Sequence, residues 1–271
     1  MKKLIWITSY PKSGNTYIRS FLSHYIFNPD SEFTFDYLGK ICKFETRDVF
    51  RRVLDDAVFN NKFVYYKHFL DIQKKLIIKF DQKDLIFKTH HFYGELNNYP
   101  FTNKETTLFF IYIIRDPREV LVSYARHNNM SIDKALKFFV EDQSIRLIKM
   151  EGIVNWSLHY KSWKSFTSVP SMFIKYEELI KNPKKIFREI LNLFSQHTNI
   201  VLKTDLLEKT IQYTKFNYLQ KLEDQYGFKE AKESKFFYTG KIDTWKKILN
   251  INQIRSVEKA FSKEMIELDY L

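Results

Sequence analysis

The chain has 271 residues, 44% of them hydrophobic, enough for a sizeable α/β core and too many for global disorder. Its formal charge of +12 suits a polyanionic partner, a cleft for anionic small molecules or a mere lysine-rich bias, so charge alone assigns nothing. Cys42 is the only cysteine, which excludes an intramolecular disulfide and a cysteine-based zinc site.

In residues 1–8, two lysines precede Leu4-Ile5-Trp6-Ile7, an apolar run too short for a signal peptide and cut off by Tyr10-Pro11-Lys12. No apolar stretch approaches the ~20 residues that span a bilayer, and the expectation is a cytoplasmic protein without a transmembrane segment. Residues 4–8 are strand formers and 9–14 a polar turn. Tyr17, Ile18, Phe21, Leu22 and Tyr25 then recur at helical spacing. Residues 85–89 and 108–114 are continuous in apolar or β-branched side chains and predict buried strands. Helix is predicted from Pro117, over 131–150, over 154–166 and over 177–194, where Pro183 restarts it as a first-turn proline. Residues 171–175 predict another strand, and a helix over 252–267 closes the chain. Only six glycines and six prolines argue against an all-β fold. Strands alternating with helices, with no repeat or linker, predict a single α/β domain over residues 1–271. Its central, mostly parallel sheet is flanked by helices, with a P-loop-like phosphate loop after the first strand.

Three segments carry chemistry. Ser9-Tyr10-Pro11-Lys12-Ser13-Gly14-Asn15-Thr16 joins the first strand to the first helix, where backbone N–H groups and the helix dipole can face an anion. It also fits a capped turn with a surface lysine, and it is no Walker A motif, for no Gly-Lys-Ser/Thr ends it. In Arg115-Asp116-Pro117-Arg118, Asp116 and Pro117 start a helix, but Arg115 sits at a strand's carboxyl end, where open α/β sheets bind ligands. Ser123 follows eight residues on. Phe87-Lys88-Thr89-His90-His91 ends a predicted strand, and side-chain alternation puts Lys88 and His90 on one face and Thr89 and His91 on the other. A neutral imidazole there can take a proton while the lysine steadies developing negative charge.

The first segment resembles the 5′-phosphosulfate loop of the sulfotransferases, commonly Tyr-Pro-Lys-Ser-Gly-Thr-Thr-Trp. The second resembles their 3′-phosphate motif, Arg-Asp-Pro-Arg-Asp-Val-x-Val-Ser, and the third their Lys-Thr-His. The first two matching in the right order are far more specific than either alone. The resemblance implies 3′-phosphoadenosine 5′-phosphosulfate (PAPS) as co-substrate and transfer of its sulfuryl group to an acceptor hydroxyl or amine. It implies His90 as general base, with Lys88 and Lys12 at the sulfuryl group and departing phosphate. Ser13, Gly14, Asn15 and Thr16 would complete the loop around the 5′-phosphate, Tyr17 would face adenine, and Arg115 with Ser123 would hold the 3′-phosphate.

Weaker similarities lie further on. Tyr176-Glu177-Glu178-Leu179 is similar to a family Tyr-Glu-Asp-Leu whose tyrosine contacts adenine, and Thr214-Lys215-Phe216 to a Thr-Ser-Phe lining the adenine pocket. Tyr238-Thr239-Gly240-Lys241-Ile242-Asp243-Thr244-Trp245 resembles Arg-Lys-Gly-x-x-Gly-Asp-Trp, keeping the spacing from Gly240 to Trp245 but replacing the Arg-Lys pair. Gly240 and Lys241 are the nucleotide candidates there. The pattern is that of a bacterial-type member, opening directly at its first strand. The acceptor, a small molecule, glycan or lipid, would be met by loops such as 91–101 and 231–238. Neither a metal nor a nucleic-acid partner is expected, the cations supplying the charge that Mg²⁺ supplies in kinases. The alternatives are a P-loop-type nucleotide kinase, which should show Gly-Lys-Ser/Thr, and a basic nucleic-acid-binding protein, which should cluster its basic residues on one face.

Overall fold

The computed structural model describes residues 3–55, 65–80, 85–141, 144–148, 150–231 and 235–271. β1 (Leu4–Ser9) leads through the phosphate loop into α1 (Asn15–Phe27). A 3-10 helix (Phe35–Ile41), the single turn α2 (Arg47–Phe50) and α3 (Phe69–Lys79) precede β2 (Leu85–Thr89). A small hairpin of β3 (Glu95–Leu96) and β4 (Tyr99–Pro100) comes before β5 (Thr107–Ile114) and α4 (Pro117–His127). Then follow α5 (Ile132–Leu136), a π-helical turn (Lys137–Glu141), the hairpin β6 (Arg146–Ile148) and β7 (Glu151–Ile153), and α6 (Trp156–Lys164). After β8 (Ser171–Lys175) the chain is helical: α7 (Tyr176–Lys181), α8 (Pro183–His197), α9 (Thr204–Thr214), α10 (Phe216–Tyr226), α11 (Trp245–Ile248) and α12 (Ile251–Glu267).

Four strands form one parallel sheet in the order β2-β1-β5-β8. Both faces are covered, which is why these strands are apolar throughout rather than alternating with polar residues. From β1, Leu4 and Trp6 pack with Phe110 and Tyr112 under α3, α4, α6 and α12. Ile5 and Ile7 pack with Phe109, Ile111 and Ile113 under α1, α8 and α9 on the other face. Truncating one fully buried Ile of this set to Ala should cost about 2–5 kcal/mol. Because β2 and β5 flank β1 on opposite sides, chain direction reverses about β1, and a crevice opens beyond the strands' carboxyl ends.

The expected helix over 131–150 is corrected by the structure. Helix ends by Glu141, and 146–148 pairs with 151–153 as an antiparallel hairpin, with Leu147 opposite Gly152; residues 142, 143 and 149 lie outside the described residues. The reason is tertiary. The Phe92 N–H donates to the Gly152 carbonyl at 3.1 Å, and a Cβ on Gly152 would meet the His91 and Phe92 rings at 3.0–3.1 Å. A glycine is costly within a helix and suits this close approach. The 154–166 helix begins later than expected, at Trp156, because Asn155 caps it by accepting the Leu158 N–H at 2.9 Å. Pro183 opens α8 as expected, after a break at Asn182. Among the described residues no helix is long and apolar enough to cross a membrane.

Candidate functional site

A cleft of about 1070 Å³ lies over the carboxyl ends of the sheet strands. Each strand delivers residues to it: β1 the segment from Tyr10, β2 Lys88 and His90, β5 Arg115, and β8 Tyr176.

The phosphate loop turns on two left-handed residues, Lys12 (φ 70°) and Gly14 (φ 103°), an arrangement that gathers successive N–H groups around an anion. Gly14 is required twice over, since a Cβ there would also lie 2.4 Å from the Tyr176 ring. Asn15 Nδ2 donates to the Ile7 carbonyl at 3.0 Å, tying the start of α1 back to β1. Gly14, Asn15, Thr16 and Tyr17 line the cleft, so the positive end of the α1 dipole opens into it. Ser13 does not line it: its hydroxyl is buried without a hydrogen-bond partner. Lys12 lies deep in the cleft, and burial, reinforced by the charges of Arg126, Lys88 and Arg115, brings its pKa down to about 7.

Lys88 and His90 face this cleft together, while Thr89 and His91 turn away, as strand alternation predicts. His90 Nδ1 donates to the Ser9 carbonyl at 2.7 Å, which fixes the proton on Nδ1 and leaves Nε2 as the basic atom. Two further hydrogen bonds hold the His90 backbone: its N–H donates to Glu151 Oε1 at 3.2 Å, and its carbonyl accepts from His159 Nε2 at 3.1 Å. Burial, helped by the Lys88 charge, holds the imidazole well below its ordinary pKa, so the ring is neutral at pH 7. His91 is a packing residue. Its ring stacks on Phe101 at 4.5 Å and Phe92 at 5.0 Å, and its Nδ1 donates to the Phe92 carbonyl.

Arg115 donates to the Lys12 carbonyl at 3.1 Å and lies 4.3 Å over the Tyr176 ring, so it braces the phosphate loop. Ser123, two turns into α4, lines the cleft as well. Phe216 and Gly240 meet across it: a Cβ on Gly240 (φ 60°) would lie 2.3 Å from the Phe216 ring. Thr214 is buried and returns its hydroxyl to the Thr210 carbonyl, and Lys241 is exposed; neither lines the cleft. Of the loops expected to meet the acceptor, 91–101 stays outside this lining, whereas Ala231 and residues 236–238 contribute; 232–234 lie outside the described residues.

Several cleft residues carried no sequence signal. Glu230 accepts from Lys88 Nζ at 3.0 Å and Arg19 NH1 at 2.7 Å, and those two cations hold its carboxyl far below the usual range despite burial. Glu151 pairs with Lys43 beneath His90, and Glu45, fully enclosed nearby, accepts from the Thr89 hydroxyl. Arg126 lines the cleft as well. These residues are scattered across segments that only the fold brings together, and each is an ordinary surface residue by local pattern.

A turned phosphate loop, a helix start and several cations converging on one crevice place the protein among the α/β proteins that bind phosphorylated ligands at the ends of parallel strands. The chain belongs to the sulfotransferase family: the model of the sulfotransferase domain matches residues 2–269. Sulfotransferase 1B1 of Mus musculus is 23% identical over 272 residues, covering 96% of this chain and 82% of its own. The 3-beta-hydroxysteroid sulfotransferase of Cavia porcellus is 25% identical over 193 residues, 68% of this chain and 64% of its own. Among solved structures, mouse sulfotransferase SULT7A1 complexed with PAP matches at a TM-score of 0.66 and 20% identity, covering 98% of this chain and 84% of that one. Retinol dehydratase in complex with androsterone and inactive cofactor PAP matches at 0.62 and 15% identity, covering 96% and 80%.

Proposed function

We propose that this sulfotransferase takes PAPS as its donor and moves the sulfuryl group in line to an acceptor hydroxyl or amine, with residues 1–271 acting as one catalytic domain. His90 Nε2 takes the acceptor's proton as its oxygen or nitrogen bonds to sulfur. The bond from sulfur to the 5′-phosphate oxygen breaks, and Lys12 and the loop N–H groups receive the phosphate's charge. Lys88 steadies the sulfuryl oxygens in flight. Arg115 and Ser123 hold the 3′-phosphate, while Tyr17, Tyr176 and Phe216 border the adenine.

One observation carries this assignment: the Ser9–His90 hydrogen bond sets a neutral imidazole of fixed tautomer directly beside the phosphate loop. Met130, Ile132, Phe138 and Ile153 add an apolar wall to the same cleft, which favours an acceptor with an apolar body. Calorimetry tests the donor: 3′-phosphoadenosine 5′-phosphate should bind at least about tenfold more tightly than AMP. Equal affinities would remove the role given to Arg115 and Ser123. Turnover of PAPS with a panel of phenols, alcohols, sugars and glycolipids tests the acceptor.

A further inference from the structure

Arg126 lines the cleft, and the proposed chemistry gives it no task. It lies in the last turn of α4, three residues after Ser123 and therefore beside it on the helix surface. Its guanidinium carbon sits 4.2 Å over the Tyr238 ring, and its Nε is buried with no hydrogen-bond partner. The carboxylates whose charge reaches it, Glu119 and Glu223, are committed elsewhere. Glu119 accepts from the Thr244 hydroxyl and, at 3.2 Å, the Trp245 N–H, and it faces Arg115 at 3.5 Å. Glu223 accepts from the N–H groups of Phe236 and Phe237 at 2.6 and 2.8 Å.

Arg115 repeats the pattern from the strand end. It too stacks on a tyrosine, at 4.3 Å, and its Nε is likewise buried without a partner. Two guanidinium groups close enough to repel share only the Glu119 carboxylate, which is engaged elsewhere, and each keeps a buried donor unused, so a further anion between them would relieve both costs. Just where the resemblance calls for Arg-Lys ahead of Gly240, this chain carries Tyr238-Thr239, and Tyr238 is the ring on which Arg126 rests.

We propose that Arg126 replaces the missing Arg-Lys pair and, with Arg115 and Ser123, forms the 3′-phosphate site, Tyr238 serving as the platform that orients its guanidinium. This rests on PAPS as donor. A guanidinium fork on such a platform suits a phosphate dianion better than a mobile lysine does.

The experiment is calorimetry of 3′-phosphoadenosine 5′-phosphate and of AMP with the wild type and with Arg126→Gln. The variant should bind the bisphosphate about 10-fold more weakly or worse and AMP within about twofold of the wild type, with an unchanged melting temperature. Arg126→Lys should fall between the two, and adding Tyr238→Arg and Thr239→Lys to Arg126→Gln should restore most of the lost affinity. A wild type that does not prefer the bisphosphate sinks the donor assignment and this proposal together. If the wild type prefers it and Arg126→Gln keeps that preference, or loses affinity equally for both nucleotides, the Arg126 assignment alone is overturned.

Discussion

The ammonium nitrogen of Lys12 lies 4.1 Å from the centroid of the Phe236 ring. A residue of the first loop is thus covered by one near the end of the chain, and the covering excludes water. With three neighbouring cations, this brings the Lys12 pKa down to about 7. A bound phosphate dianion acts in the opposite sense and restores the charged form.

Nucleotide binding should therefore take up a proton. Titrating 3′-phosphoadenosine 5′-phosphate near pH 8, in buffers of differing ionisation enthalpy, should show an uptake of about 0.5–1 proton per site. Lys12→Met should abolish most of it. An uptake unchanged in that variant would move the titrating group elsewhere in the cleft.

His90 and His91 should separate cleanly. His90→Ala should lower turnover by about 10²–10⁴-fold with little change in nucleotide affinity, since the base meets the acceptor. His91→Ala should instead cost about 2–4 kcal/mol of stability, because its ring fills the space between Phe92 and Phe101. Turnover per folded molecule should barely move. Loss of transfer in His91→Ala with retention in His90→Ala would reverse the assignment.

Arg115→Lys keeps the charge but loses both the fork and the flat face that rests on Tyr176. The bond to the Lys12 carbonyl should weaken with it, loosening the phosphate loop. We expect the bisphosphate to bind about tenfold more weakly and AMP to lose less, with circular dichroism unchanged. Unaltered affinity would count against Arg115 as a phosphate ligand.

Glu45 supplies a pH test of the floor beneath His90. Burial, with the Glu151 carboxylate adding to it, raises its pKa well above the ordinary 4.5. The folded chain then holds a proton that the unfolded chain has lost. Stability is greatest below the ordinary value and falls as pH rises through the raised one. Glu45→Gln retains an acceptor for the Thr89 hydroxyl and carries no such loss. Its melting temperature should gain on the wild type between about pH 5 and about pH 8. A difference independent of pH would show that Glu45 is ionised in the fold.

The sheet and the ends of its strands were legible because their causes are local. Continuous apolar runs mark strands buried on both faces, and Pro11-Lys12-Ser13-Gly14, Lys88-Thr89-His90 and Arg115 each follow or end such a run. That Lys88 and His90 share a face which Thr89 and His91 do not was equally local, since alternation along β2 needs no partner to be known. The hairpin at 146–153 was not legible. Its apolar residues suit a helix as well, and the decision was made by Phe92 and His91 pressing on Gly152 from another segment. The same holds for Glu230 between Arg19 and Lys88, for Glu151 under His90, and for Arg126 on Tyr238. A charged residue far along the chain has no periodic signature, and its task is set by which opposite charge, ring or empty donor the folded chain places beside it. By itself the sequence determined the sheet, the loop between β1 and α1 and the family; the tertiary structure alone decided which charges are spent on one another and which remain for a ligand, because that balance depends on burial and distance.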